Sequence, residues 1–250
     1  MQSVDVVVLT KNSAYLLDRC LSSVYRNVPV NQLIVVDGFS TDATLAILKK
    51  YSQIYGNVKV FSMNGSRAVA RERGIKEVTT DWFMFVDSDV VLSEGWFRNA
   101  EKNVTDRTGA VWGVNIDVIP NVKNPHFFRF QAFVAAQCFS LRGGTHDVLI
   151  RRESVEGIRI PEELHTYEDA YIMNWIKRRG YEVTVGQGLY CLHYKPPENW
   201  RLENAVSQAI LELKCGLIHS RNFAYALYYP VFMFYWFVQL AFHSANRLLA

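Results

Sequence analysis

Hydrophobic positions in the first half of the chain follow two alternating rhythms. Short apolar runs at Val4–Leu9, Leu33–Val36, Val58–Phe61 and Trp82–Val86 predict buried strands. Between them the apolar residues fall at helical spacing. Leu16, Leu17, Cys20, Leu21 and Val24 share one side of Ser13–Tyr25, and Leu45 and Leu48 one face of Thr41–Tyr51. Ser40 or Thr41 is suited to cap the second of these helices. Ser66–Val78 and Glu94–Val104 complete the set. Four strand–helix units in succession predict a parallel sheet with right-handed crossovers. Such a sheet binds ligands beyond the carboxyl ends of its strands, where strand order reverses. The polar residues that end these strands are Thr10, Asp37 and the pair Asp87 and Asp89.

The second half is less regular. Strand-like runs occupy Ala110–Val118, Asp147–Arg151, Tyr181–Val185 and Leu189–Tyr194. Phe127–Leu141 and Glu168–Arg179 read as helices, the latter closed by Gly180. Trp200–His219 reads as an amphipathic helix that leads into Phe223–Phe242, an apolar and strongly aromatic run. No Asp, Glu, Lys or Arg lies between Arg221 and Arg247. The run matches the length needed to cross a bilayer, about 20 residues. Its aromatics are spread throughout and Pro230 interrupts it, so an interfacial helix is the second reading. A helix packed on the domain, or on a partner in a homodimer joined through the C-terminal helices, is the third. The expected division is a catalytic domain over residues 1–198 and a membrane-associating tail over 199–250.

Composition narrows the function. The 27 basic and 24 acidic side chains leave a formal charge of +3, too balanced for a nucleic-acid-binding face. Cys20, Cys138, Cys191 and Cys215 are far apart and form no C-x-x-C, so free buried thiols are expected rather than a disulfide framework or zinc site. The chain enters a strand-like run at once, and no signal peptide is expected. Lys214 and Arg221 precede the apolar run and only Arg247 follows it, which puts the catalytic part on the cytoplasmic face of the membrane.

Four segments carry candidate chemistry. Asp87 and Asp89, two apart after a strand, repel each other unless a cation neutralises them, and oxygen ligands suit Mg2+ or Mn2+. Asp37 ends a strand before Gly38, where an exposed carboxylate can accept a hydrogen bond from a nucleobase N–H. Arg67 and Arg71 stand at i, i+4 near the start of a helix, an arrangement suited to an anionic ligand. Glu168 and Asp169 open another helix, where the dipole favours carboxylates, and Asp169 is a candidate general base. Each segment also has a plain structural use as a turn, a cap or a solvated face.

Taken in order, VVVLTKN, VVDGFSTDATL, SRAVARERG, FVDSDV and YEDAYIMNWIKRRGYEV resemble the family 2 glycosyltransferases of GT-A fold. The resemblance covers roughly residues 3 to 195. It implies an α/β fold with a mostly parallel, Rossmann-like central sheet flanked by helices, followed here by the hydrophobic helical tail. It implies transfer of a sugar from a UDP- or GDP-sugar, with inversion, to an acceptor hydroxyl or lipid-linked phosphate. Thr10 and Asp37 look like donor-base contacts and Arg71 like the arginine near base and diphosphate. Asp87 looks like the ribose or diphosphate-side acid, Asp89 like the metal ligand, Asp169 like the catalytic base and Glu168 like the residue that positions the acceptor. His193 stands where some relatives place a further metal or diphosphate contact.

Two departures qualify the likeness. Phe39 replaces a glycine common in the family. No Q-x-x-R-W follows the base, so one sugar is added and released. The expected partners are a nucleotide-diphospho-sugar, a glycan or polyprenyl-phosphate acceptor, a Mn2+ or Mg2+ ion and a membrane. A nucleotidyltransferase is the rival enzyme, but Thr10-Lys-Asn-Ser-Ala has no glycine for a phosphate loop. A non-catalytic membrane scaffold is the rival from another class, and it predicts loss of the acidic residues that are all present.

Overall fold

The computed structural model describes residues 1–118, 125–138, 143–195 and 202–220, and in the C-terminal run 230–231, 233–235, 237–241 and 244. The first half follows the expected rhythm. Strands β1 (Val4–Thr10), β2 (Val30–Asp37), β3 (Val58–Ser62) and β4 (Trp82–Asp87) alternate with helices α1 (Ala14–Asn27), α2 (Thr44–Tyr55) and α3 (Arg67–Glu77). A short strand β5 (Val90–Leu92), which the hydrophobic pattern does not separate from its surroundings, precedes α4 (Trp96–Glu101). Then come β6 (Thr108–Asp117), α5 (Pro125–Cys138), β7 (Asp147–Arg151), α6 (Glu168–Arg178), β8 (Glu182–His193) and α7 (Leu202–Ser220). The two strands expected over 181–194 are one, bent where Gly188 takes φ +72 and the β6–β8 register shifts.

The sheet has eight strands in the order β3-β2-β1-β4-β7-β6-β8-β5. The first four pair in parallel, as expected from the strand–helix units. Beyond them β7 is antiparallel to β4 and β6, and β5 is antiparallel to β8, so the sheet is mixed rather than mostly parallel. The reason lies in the connections: the parallel half is wound through helices, whereas β7 returns beside β4 without a crossover of that kind.

Period-two alternation divides the core between the two faces. Val4, Val6 and Val8 of β1 and Met84 and Val86 of β4 join α1, α2 and α4 on one side. Val7, Phe83 and Phe85 join α3 and α6 on the other. Each fully buried valine of this kind contributes about 1.5–3 kcal/mol of burial energy.

Capping departs from expectation in one place. Helix α2 starts after Ala43, not after Ser40 or Thr41, because Asp42 Oδ1 takes the Thr44 amide at 2.9 Å while Ser40 turns back to Asp37. Gly180 follows α6 at φ +86, as expected of a closing glycine.

Much of the expected apolar run, residues 223–229, 232, 236 and 242, lies outside the described residues, as does the expected domain boundary near 198. No long apolar C-terminal helix stands as one element among the described residues, and none of their helices is long and apolar enough to cross a membrane.

Candidate active site

The strand order reverses between β1 and β4, with β2 and β3 to one side and β4 to the other. A cleft of about 730 Å³ opens there, at the carboxyl ends of the parallel strands. Thr10, Arg67, Arg71, Asp87, Asp89, Glu168, Asp169 and His193 all line it. Residues far apart in the chain therefore share one chamber.

Asp37 does not open into the cleft. It was expected as an exposed carboxylate, and it is fully buried. Its Oδ1 accepts from Thr10 Oγ1 at 2.8 Å and Ser40 Oγ at 2.6 Å, and its Oδ2 from the Ser40 amide at 2.8 Å. The β1–β2 register sets Thr10 opposite Asp37, so the carboxylate holds Thr10 and the following turn from behind. Gly38 does not supply the left-handed residue of that turn. Phe39 does, at φ 57, in the place where a glycine would relieve the strain. Among the described residues the non-glycine positions with positive φ are Asn12, Phe39 and Tyr167. They belong to the β1–α1 loop, the β2–α2 loop and the start of α6, all next to cleft-lining residues, where backbone strain commonly collects.

Arg71 sits at the centre of the charges. Its Nη2 bonds Asp87 Oδ1 at 2.8 Å, its Nε lies 3.8 Å from Glu168 Oε1, and its guanidinium carbon is 4.8 Å above the Phe85 ring. The side chain is almost wholly buried, yet Nε and Nη1 have no hydrogen-bond partner. Unsatisfied guanidinium donors beside an open chamber fit an anionic ligand such as a diphosphate. Burial acts to discharge Arg71, but Asp87 and Glu168 outweigh it and keep it cationic. Burial likewise acts to raise Asp87, and Arg71 outweighs it, holding this carboxyl below the usual range. Glu168 goes the other way. Burial and the neighbouring Asp169 push it up to about 7 against the pull of Arg71. Asp169 Oδ1 meets the Ala170 amide at 2.7 Å, at the first turn of α6.

His193 Nε2 lies 3.3 Å from Asp89 Oδ2, and its Nδ1 lies 3.0 Å from Asp117 Oδ1. Burial acts to lower His193, but Asp89 and Asp117 outweigh it and raise the imidazole to about 10. Asp89 and His193 are the groups that would hold a divalent cation. The carboxylate and imidazole donors suit Mn2+, and Asn115 adds a buried Oδ1 without a partner beside the same imidazole. The donor set therefore fits the expected ion.

His146, Asp147 and Cys191 form a second cluster of metal-ligand type, within 4.8 Å of one another. Its two buried members already have partners. Asp147 bonds His146 and, at 2.7 Å, Trp96 Nε1. Burial and nearby acids push the Cys191 thiol well up, so it keeps its proton. Asp147 and Cys191 are buried, and His146 reaches the cleft.

Sequence reasoning did not find Asp117, Lys195, His146 and Glu212, which also line the cleft. Asp117 ends a strand-like run, the signal that marked Thr10 and Asp37 in the first half. Glu212 is a buried acid on amphipathic α7 that takes a hydrogen bond from Thr166 at 3.1 Å, and no local pattern sets it apart.

The sequence profile of glycosyl transferase family 2 matches residues 5–147, more than half of the chain. The chain belongs to glycosyl transferase family 2. Among curated proteins, the Bacillus spizizenii poly(ribitol-phosphate) beta-glucosyltransferase is 33% identical over 128 residues, which is 47% of this chain and 20% of that protein. The Bacillus subtilis minor teichoic acid biosynthesis protein GgaB is 26% identical over 155 residues, 58% of this chain and 17% of that protein. The match thus spans a fifth or less of each of these longer relatives. Among solved structures, mannosyltransferase PcManGT from Pyrobaculum calidifontis, in complex with GDP-Man and Mn2+, superposes with a TM-score of 0.68 at 20% identity, over 99% of this chain and 75% of that one. Staphylococcus aureus TarS 1–349 gives a TM-score of 0.60 at 21% identity, over 84% and 65%. These likenesses fix the GT-A-like fold of this family 2 chain.

Proposed function

We propose that this chain transfers one sugar from a UDP- or GDP-sugar to an acceptor, with inversion and with a divalent cation, at the cytoplasmic face of a membrane. The observation that carries this reading is the single cleft in which the unsatisfied Arg71, the acid pairs Asp87–Asp89 and Glu168–Asp169, and His193 converge. Thr10, held by Asp37, meets the base of the donor. Arg67 and Arg71 meet the diphosphate, with Asp87 on the ribose or diphosphate side. Asp89 and His193 hold Mn2+ or Mg2+, and the ion supplies positive charge that offsets the charge developing on the leaving diphosphate.

Asp169 takes the proton of the attacking hydroxyl as the new glycosidic bond forms and the bond to the diphosphate breaks. Glu168, which burial and Asp169 push up to about 7, orients the acceptor through its O–H in the protonated form. Arg71 balances the leaving group without having to move, which is how preorganised charge lowers such barriers. The absence of a Q-x-x-R-W motif supports a single transfer per encounter.

The acceptor is a glycan or polyol hydroxyl or a polyprenyl-type phosphate. The likeness to the Bacillus spizizenii poly(ribitol-phosphate) beta-glucosyltransferase favours the hydroxyl. Membrane association draws on exposed apolar side chains: Phe133 of α5, Val231, Phe234 and Phe237 of the C-terminal run, and Ile210 and Ile218 of α7. Helix α5 and the run are neighbours, with the Phe130 and Tyr235 rings 6.4 Å apart.

The test is a screen of UDP- and GDP-sugars, with and without Mn2+, for thermal shift and donor hydrolysis. A metal-dependent response to one donor series is expected. No response to any nucleotide sugar would favour the scaffold reading.

A further inference from the structure

The strands that meet at the metal side of the cleft are β6, β8 and β5. Their register sets Asp117 opposite His193, and His193 opposite Val90, the residue after Asp89. Two adjacent strands and the residue just before a third thus bring together a carboxylate, an imidazole and a carboxylate. The contacts run from Asp117 Oδ1 to His193 Nδ1 at 3.0 Å, then from His193 Nε2 to Asp89 Oδ2 at 3.3 Å.

Asp117 is only 1% exposed, and its two oxygens divide their work. Oδ1 faces the imidazole. Oδ2 takes Lys195 Nζ at 2.6 Å and Gln239 Nε2 at 2.7 Å. Its backbone is fixed as well. The Asp117 amide donates to Gln131 Oε1 at 2.9 Å, and Gln131 Nε2 donates to the Asp117 carbonyl at 3.1 Å. Gln131 and Gln239 are both fully buried, and Gln239 comes from the apolar C-terminal run, where it is the lone amide.

A buried charged network of this kind is a poor source of stability, since desolvation offsets its attraction. It is a good source of orientation. An imidazole tied at Nδ1 to a fixed carboxylate points its Nε2 in one direction, and here that direction is Asp89.

We propose that Asp117 is a positioning residue that aims His193 at the cation held with Asp89, and that Gln239 braces it from the C-terminal run. The proposal rests on the metal reading given above for Asp89 and His193. In this proposal Asp117 acts through His193, which its Oδ1 faces at 3.0 Å. Lys195 balances its charge, so the carboxylate remains an anion while Oδ1 serves the histidine. The run that contributes Gln239 is thereby a structural part of the metal side of the cleft, in addition to any contact it makes with a membrane.

The test uses the whole chain with UDP and, separately, GDP, and reads Mn2+ binding by electron paramagnetic resonance of the free ion. Asp117→Asn should weaken Mn2+ binding in the nucleotide complex by about 10- to 100-fold. Nucleotide binding in the presence of chelator should stay at the wild-type level, a split that general loosening of the fold would not give. His193→Ala should lose a similar factor, and the double variant should lose no more than His193→Ala alone. If Asp117→Asn unfolds, the same comparison is made with D117N/K195M against K195M, a pair that leaves no lone ammonium buried. Wild-type Mn2+ affinity in Asp117→Asn, or losses that multiply in the double variant, would overturn the proposal. Wild-type protein that binds nucleotide but no Mn2+ would instead overturn the metal reading, and this inference with it.

Discussion

Asp169 and Glu168 are adjacent in the chain and opposite in chemistry. Glu168 is buried against Arg71, and Asp169 lines the open cleft. Asp169→Asn keeps the shape and removes the proton acceptor. Transfer in a single turnover should fall by about 10²- to 10⁴-fold, with the donor dissociation constant near wild type. Unchanged transfer would remove Asp169 from its role. Glu168 makes a pH-dependent prediction. In the unfolded chain a glutamate releases its proton near 4.5, but in the fold Glu168 keeps it to about 7. Between those values the folded state binds more protons, so this side chain's contribution to stability is present below pH 4.5 and declines as pH rises towards 7. Glu168→Gln abolishes that decline. Its melting temperature minus that of wild type should therefore grow by several degrees between pH 5 and 7.5 and then level off. A difference that is constant with pH would mean that Glu168 is ionised throughout.

Helix α3 shows how an element delivers a side chain. Gly74 lies one turn after Arg71 and faces β1, where a Cβ would come within 2.4 Å of Val7 Cγ1. Alanine in a helix interior ordinarily stabilises by about 1 kcal/mol relative to glycine. Here the sign should reverse. Gly74→Ala must push α3 off the sheet, costing about 1–3 kcal/mol in urea unfolding, and it should weaken nucleotide binding because Arg71 moves with the helix. Combining it with Val7→Ala should recover part of both losses. If Gly74→Ala is neutral, the helix is not held by that contact. At the other end of the same strand, Asp5 accepts from Thr79 N at 2.6 Å, Thr80 N at 3.2 Å and Asn31 Nδ2 at 2.7 Å, tying the α3–β4 loop to β1. Asp5→Ala removes three part-buried hydrogen bonds from a buried carboxylate and should cost about 1–3 kcal/mol, read by chemical denaturation, with activity per folded molecule retained.

At the scale of the whole molecule, the cleft is roofed partly by segments late in the chain. Asn204 and Glu212 of α7 and Tyr235 of the C-terminal run line it. The same run presents Phe234 and Phe237 to solvent, 65% and 61% exposed. One segment thus faces the cleft on one side and presents aromatic rings to solvent on the other. Replacing Phe234 and Phe237 by serine should abolish co-sedimentation with anionic vesicles and leave nucleotide thermal shifts intact, because neither ring reaches the cleft. Retained vesicle binding would move the contact elsewhere, and a change of mass in solution without vesicles would point to a second copy of the chain as the partner of this face.

The sequence alone determined the parallel half of the sheet, because short apolar runs and helical spacing are local properties. It also determined which strand ends carry polar groups, since the polar residue stands next to the run it terminates. Tertiary structure decided the rest. Strand direction in the second half depends on how β7 and β5 find partners distant in sequence, so the pattern of residues could not reveal a mixed sheet. Whether Asp37 faces ligand or stands behind Thr10 depends on the turn at Phe39 and Ser40. Asp117, His193 and Asp89 meet only because three strands fall into register, and Gln239 reaches them from far along the chain. Local periodicity records which face of an element is apolar, whereas a site is made by the relative placement of elements, which packing alone fixes.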